Sequence, residues 1–298
     1  MRAKLLNSDT AKVVMFGGGG YVGTAFKQAL DKRGVDYFAP ESAMINLLHY
    51  QSVDAVLSSM KPTFVINCAG FTGKPNVDAC EEQKHETTSG NVNTVFNLRQ
   101  ICEQYNIPFG HVSSGCIYNG YEKDFSEEDQ PNFCFGSDQE CSFYSGTKEE
   151  AEKVLKGADC YVWRLRIPFD EYDNPRNYLS KLINYDVILN VSNSISHRAE
   201  FAEACLTLWE KTAPFGIYNV TNTGSVKAEE ALSLLEKHQD YSFDSKILMS
   251  NIKEFYDITG CKAPRSNCVL DNSKLLNAGV EMKTAIESVE ESIIKWQR

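Results

Sequence analysis

The chain has 298 residues, 23% of them charged and 42% hydrophobic, and a net charge of −10 at pH 7. That length supports one large domain or two smaller ones around a cleft. The acidic balance with no basic stripe argues against nucleic acid or an anionic membrane as partner. Ten cysteines without CxxC or His-paired spacing argue for reduced core thiols in a cytoplasmic protein rather than a disulfide scaffold or a metal site. No secretory segment is expected before the first strand, and no apolar run is long enough to span a membrane.

Residues 1–11 read as a polar lead-in. Val13-Val14-Met15-Phe16 reads as a buried strand that empties into Gly17-Gly18-Gly19-Gly20-Tyr21-Val22-Gly23, followed by helix from Thr24 to Lys32. Strand, glycine turn and helix place a pyrophosphate on a helix N-terminus. Gly17, Gly20 and Gly23 supply the tight turn, the close backbone approach and the helix–strand contact. The second strand, 36–39, has no acid at its end, and Glu41 follows only after Pro40. That tilts the cofactor toward NADP(H) without excluding NAD(H), with Lys32 and Arg33 the basic residues at the end of the helix.

A helix at 50–60 leads to a strand at 63–67, where the small residues Ala69 and Gly70 would let a cofactor lie against the backbone. A long helix, 82–105, carries Asn91, placed to bridge to a neighbouring strand. The next strand ends in Ser114 and Cys116, and 119–142 reads as a long loop folded over the cleft. The helix begun by Phe143-Tyr144-Ser145-Gly146-Thr147-Lys148 puts Tyr144 and Lys148 on one face, and a strand at 161–166 follows. Repeated strand-then-helix units mean an α/β fold: a Rossmann-type doubly wound parallel sheet at 1–166. The remainder, 167–298, reads as a smaller C-terminal substrate domain, partly interleaved with the last sheet strands. It holds the loop Asn174-Pro175-Arg176-Asn177 before a helix with Lys181, helices at 199–212 and 227–238, and a strand at 216–220. The loop Ala263-Pro264-Arg265-Ser266-Asn267 and a terminal helix at 281–296 complete it.

A tyrosine and a lysine on one helical face, with a serine at a nearby strand end, make a proton-transfer set. A phenol titrates near pH 10, and a neighbouring ammonium would lower that value. Ser114 could then bind a substrate carbonyl while Tyr144 donates the proton, with hydride from a nicotinamide.

The glycine turn, Ser114 and Tyr144-xxx-Lys148 resemble the extended short-chain dehydrogenase/reductase family. More narrowly the chain is similar to the epimerase/reductase module of plant-type rhamnose synthases and to dTDP-4-dehydrorhamnose reductases. The words that carry this are Asn67 through Asp78, Gly115-Cys116-Ile117-Tyr118, Phe143-Tyr144-Ser145, Asn174-Pro175-Arg176-Asn177 and Ala263-Pro264-Arg265-Ser266-Asn267. The glycine turn lacks the basic residue expected of the module, and loop 119–142 differs in sequence.

The resemblance implies a bifunctional 3,5-epimerase and NADPH-dependent 4-keto-reductase turning UDP-4-keto-6-deoxy-glucose into UDP-L-rhamnose. It implies Ser114, Tyr144 and Lys148 as the reductase triad, with Lys148 also touching the cofactor held by Gly17, Gly20, Tyr21, Val22, Gly23, Ala69 and Gly70. Cys116 would be the acid/base of epimerisation and Lys181 its partner, while Asn76, Asn177 and Arg265 would contact the sugar nucleotide. It further implies a homodimer through helices 82–105 and 141–156, and a separate upstream dehydratase. The alternatives are a dTDP-4-dehydrorhamnose reductase without epimerase activity, or a non-catalytic NADP-binding regulatory subunit of the same fold.

Overall fold

A computed structural model describes residues 12–297; the lead-in at 1–11 lies outside the described residues. Six parallel strands form the central sheet, in the order Gly216–Asn219, Cys160–Leu165, Phe109–Ser114, Phe64–Asn67, Lys12–Phe16, Asp36–Phe38. Helices cover both faces, so the central strands read as continuous apolar runs rather than alternating ones. Val13 and Met15 pack with Phe26 and Phe201 on one face. Val14 and Phe16 pack with Leu57, Leu98, Ala151 and Leu155 on the other.

Chain order reverses at Lys12–Phe16, whose two neighbours are the second and third strands in sequence. In a doubly wound sheet the crevice outside the carboxyl ends at such a point receives the ligand. Residues 17–23 and 68–73 are the turns that leave those ends.

The C-terminal part returns to this sheet before leaving it again. Helix Arg198–Glu210 joins the core beside helix Gly23–Arg33 through Phe201, Ala202 and Cys205, and Gly216–Asn219 adds the sixth strand. A separate apolar cluster of Phe169, Leu179, Ile195, Leu232 and Val289 lies among helices Tyr178–Asn184, Ala228–His238 and Ala285–Ile294. No helix among the described residues is long and apolar enough to cross a membrane.

Two expectations need correction. The single helix at 82–105 is broken into Ala79–Glu82, Lys84–Thr88, a wide π-type turn at Ser89–Asn93, and Thr94–Tyr105. The break accommodates the loop after the third strand: a Cβ on Gly90 would sit 2.8 Å from the Phe71 side chain. The segment 119–142 is also not all loop, because Gly120–Phe125 is a strand paired in parallel with Cys268–Leu270. Its four middle residues are exposed, so no apolar pattern marks it. A further strand pair, Val187–Leu189 with Ile247–Met249, and helix Ile252–Thr259 were not expected either.

Candidate active site

The glycine turn is built for close backbone approach. Gly17 has φ +77°, and a Cβ there would lie 2.5 Å from the Ala69 nitrogen; one on Gly23 would overlap the Gly17 carbonyl. Gly20 N donates to that same carbonyl at 3.0 Å. The helix that follows has no side-chain cap and no acid in its first turn, which leaves its N–H groups and positive dipole end for an anion. Gly17, Ala69 and Gly70 line a cleft of about 610 Å³, together with Ser42, Asn46 and Leu47 from beyond the second strand. These residues fit a dinucleotide.

The side chains of Tyr21 and Val22 are engaged within the fold. The Tyr21 hydroxyl donates to Asp170 Oδ1 at 3.0 Å, Arg198 covers its ring at 4.6 Å, and Val22 packs on the core. Lys32 and Arg33 are corrected as candidates for a ribose phosphate. They end the 11-residue helix, about 16 Å from the turn, and Arg33 is bound to Glu203 and, at 2.7 Å, to Glu210.

On the other side of the switch point, strand Phe109–Ser114 and helix Phe143–Leu155 bring the serine, tyrosine and lysine together. Ser142 caps the helix through Ser145 N at 3.0 Å, which sets the rotation of the face carrying Tyr144 and Lys148. Lys148 is buried and donates to the Val112 carbonyl at 3.0 Å. Burial lowers its pKa to about 8, against the pull of Cys116 and Glu152. Tyr144 moves the opposite way from expectation. Burial and the neighbouring Cys116 hold its phenol well above the ordinary range, against a hydrogen bond with Ser114 and the charge of Arg176. The opposing cation is thus Arg176, while Lys148 is turned to Val112. Desolvation wins here because it penalises the phenolate directly.

Asn91 does bridge, although to a loop and a helix. Its Oδ1 accepts from Phe71 N at 2.7 Å, and its Nδ2 donates to Phe71 O at 3.0 Å and to Thr147 Oγ1 at 3.1 Å. It therefore ties the turn at 68–73 to the residue preceding Lys148.

Cys116 is the middle residue of the short turn Gly115–Ile117 that follows Ser114, and its N–H donates to Ser114 Oγ at 3.3 Å. It is half-buried and acts electrostatically on both Tyr144 and Lys148. Lys181 lies on helix Tyr178–Asn184, among cations. Burial lowers its pKa, and Arg176 and Arg265 lower it further. Arg265 bonds Asp78 at 2.9 Å and lines a second cleft, of about 570 Å³, with Tyr121, Gln139 and Asn267. Asn76 caps its own turn, accepting from Asp78 N at 2.8 Å.

Asn177 is corrected. It is fully buried: its Oδ1 caps helix Tyr178–Asn184 through Leu179 N at 2.9 Å, and its Nδ2 donates to Asp170 and Tyr172. Enclosed in this way, it presents no surface to a ligand. Its neighbour Arg176 reaches Thr72 Oγ1 and, at 2.9 Å, the Gly73 carbonyl. Only the meeting of distant segments marks Arg176 as a site residue.

With a glycine turn and a Ser–Tyr–Lys set facing each other across one switch point, the molecule falls in the extended short-chain dehydrogenase/reductase class. Within that class the chain belongs to the RmlD substrate binding domain family, whose profile matches residues 11–297. It is 32% identical over 300 residues to the bifunctional dTDP-4-dehydrorhamnose 3,5-epimerase/dTDP-4-dehydrorhamnose reductase of Arabidopsis thaliana, covering 97% of this chain and 93% of that protein. It is 33% identical to a trifunctional UDP-glucose 4,6-dehydratase/UDP-4-keto-6-deoxy-D-glucose 3,5-epimerase/UDP-4-keto-L-rhamnose-reductase of the same plant. There the match takes 96% of this chain but 41% of the longer protein. Among solved structures, the UDP-rhamnose synthase from Acanthamoeba polyphaga mimivirus superposes with a TM-score of 0.83 at 25% identity, covering 95% of this chain and 99% of that one.

Proposed function

We propose that this chain is a bifunctional 3,5-epimerase and NADPH-dependent 4-keto-reductase that converts UDP-4-keto-6-deoxy-glucose to UDP-L-rhamnose. The observation that carries the reading is the thiol of Cys116 beside Ser114, in the same electrostatic neighbourhood as Tyr144 and Lys148. Relatives matched over nearly the whole of this chain combine both activities.

Gly17, Gly20, Gly23, Ala69 and Gly70 would hold the dinucleotide by its backbone approach, with Lys148 at its nicotinamide end. When bound, the nicotinamide supplies hydride to the C4 carbonyl carbon. The C4 carbonyl oxygen accepts from Ser114 and Tyr144, so charge that develops there meets two donors. Hydrogens on C3 and C5 flank that carbonyl, and removing one spreads charge onto the same oxygen. Cys116, as base, takes each of these protons on one face and releases it to solvent. Lys181 donates on the other, its lowered pKa making the ammonium a readier proton donor. Tyr144, held protonated by its burial, then gives its proton to the C4 oxygen as reduction completes the sequence. Arg176 and Arg265 set a positive field for the diphosphate, and two copies would pair through the helices at 94–105 and 143–155. A separate dehydratase supplies the keto-sugar.

The test is incubation with UDP-4-keto-6-deoxy-glucose and NADPH in heavy water, with mass spectrometry of the product. Nicotinamide oxidation with deuterium at C3 and C5 is expected. No oxidation overturns the reductase reading, and oxidation without deuterium overturns the epimerase half. The same assay with the dTDP sugar ranks the two nucleotides.

A further inference from the structure

The helix that carries Tyr144 and Lys148 brings a third ionisable group to the same face one i+4 step further on. Glu152 has 6% of its side chain exposed. Its Oε1 accepts from Ser113 Oγ at 2.6 Å. Arg164 grips the same carboxylate, with Nη2 at 2.7 Å from Oε2 and Nε at 3.1 Å from Oε1. Arg164 Nη1 continues to the Tyr118 hydroxyl at 3.0 Å, which donates to the Asp129 carbonyl at 2.8 Å. Ser113 stands between Val112, whose carbonyl takes the Lys148 ammonium, and Ser114. One carboxylate therefore joins the strand end, the helix with the tyrosine and lysine, and the segment over the cleft.

We propose that Glu152 is a positioning residue for the reductive step: it clamps Ser113 and so registers Ser114 and the Val112 carbonyl, and its buried charge keeps Lys148 an ammonium. The proposal rests on the reductase reading above. An ion pair serving Arg164 alone would need neither the Ser113 bond nor a place on the Tyr144–Lys148 face. The groups acting on Lys148 come from three elements. Cys116 in the turn and Glu152 on its own helix favour the ammonium. His111 on the adjacent strand is held neutral by burial and by Lys148 itself, so it adds no charge. Tyr144, protonated, adds none either.

Glu152→Gln keeps the shape and an acceptor for Ser113 while removing the charge. The double variant Glu152→Gln/Arg164→Met also removes the cation left behind, in case the single one does not fold. The first readout is the titration of Lys148 by NMR of ¹³Cε-labelled lysine, its resonance identified by its loss in Lys148→Met. The second is the pH profile of kcat. The expected result is a midpoint for Lys148 about one pH unit lower, with the alkaline limb of kcat moved equally. kcat at pH 7.5 should fall about threefold while KM changes less than about twofold. Ser113→Ala, which breaks only the clamp, lowers kcat and leaves the limb in place. A folded charge-neutral variant with the wild-type midpoint and limb overturns the proposal. If wild type oxidises no NADPH with any keto-sugar, the reductase reading falls instead, and the NMR midpoint still decides the role of Glu152.

Discussion

Lys148 shows how a single buried charge trades stability for function. Its pKa falls from 10.5 to about 8 on folding, so below pH 8 the native state carries a proton it holds less tightly than the unfolded chain does. That penalty is full below pH 8 and is released between 8 and 10.5, so this group's contribution to stability rises with pH across the window. At about 1.4 kcal/mol per unit, the cost at neutral pH is at most about 3.5 kcal/mol. Lys148→Met is therefore expected to abolish keto-sugar reduction yet to raise Tm at pH 7, with the gain shrinking as melts are repeated from pH 8 to 10. A lowered Tm at pH 7 would contradict this. Asn177 should behave in the opposite way. With every hydrogen bond spent inside the fold, Asn177→Ala is expected to cost about 2–4 kcal/mol in urea unfolding while KM for the sugar nucleotide stays within about twofold. From the sequence, Asn177 is the expected sugar-nucleotide contact, and its neighbour Arg176 in the same polar loop is not. Only the path of the chain through Asp170 and Tyr172 turns one inward and the other toward Thr72 and Gly73.

Among the elements, the first strand, glycine turn and helix are legible from local pattern, because each step has a short-range cause. The apolar run is buried on both faces, and Gly23 leaves room for the Gly17 carbonyl. Gly23→Ala should thus displace that carbonyl and weaken dinucleotide binding at least about tenfold in titration calorimetry; unchanged affinity would show that the turn has another role. The region 79–105 is legible only as helical. Its break at Ser89–Asn93 follows from Asn91 grasping Phe71 twenty residues earlier and Thr147 fifty-six later, a pairing that no window of sequence contains. Asn91→Ala is expected to keep the fold and lower kcat about tenfold, through looser placement of Lys148. A kcat equal to wild type would show that Thr147 and Lys148 are fixed without it. The strand Gly120–Phe125 escaped because its exposed, charged residues carry no period, and its partner Cys268–Leu270 lies far along the chain.

Across the whole molecule, residues 198–219 stitch the C-terminal part to the cofactor turn. Arg198 donates to the Tyr21 carbonyl and to Thr24 Oγ1, each at 2.7 Å, and pairs with Asp170. Asp170 in turn receives the Tyr21 hydroxyl and Asn177. One buried ion pair thus holds the glycine turn and the substrate-side loop in a single frame. Arg198→Leu strands Asp170 and is expected to cost about 3–5 kcal/mol, and to weaken cofactor and sugar-nucleotide binding together rather than either alone. Urea unfolding with calorimetry on both ligands checks it, and loss of only one affinity would show that the two sides are held separately.

By itself the sequence determined the class of fold, the place of the glycine turn and the shared face of Tyr144 and Lys148. These depend on period, spacing and glycine geometry within a few residues of one another. The tertiary structure decided what those groups experience. Burial carried Tyr144 upward against expectation, turned Lys148 to Val112, spent Asn177 on a helix cap and brought Arg176 and Glu152 to the site. Desolvation and long-range hydrogen bonds depend on which distant segments close over a group, and that is settled only when the chain has folded.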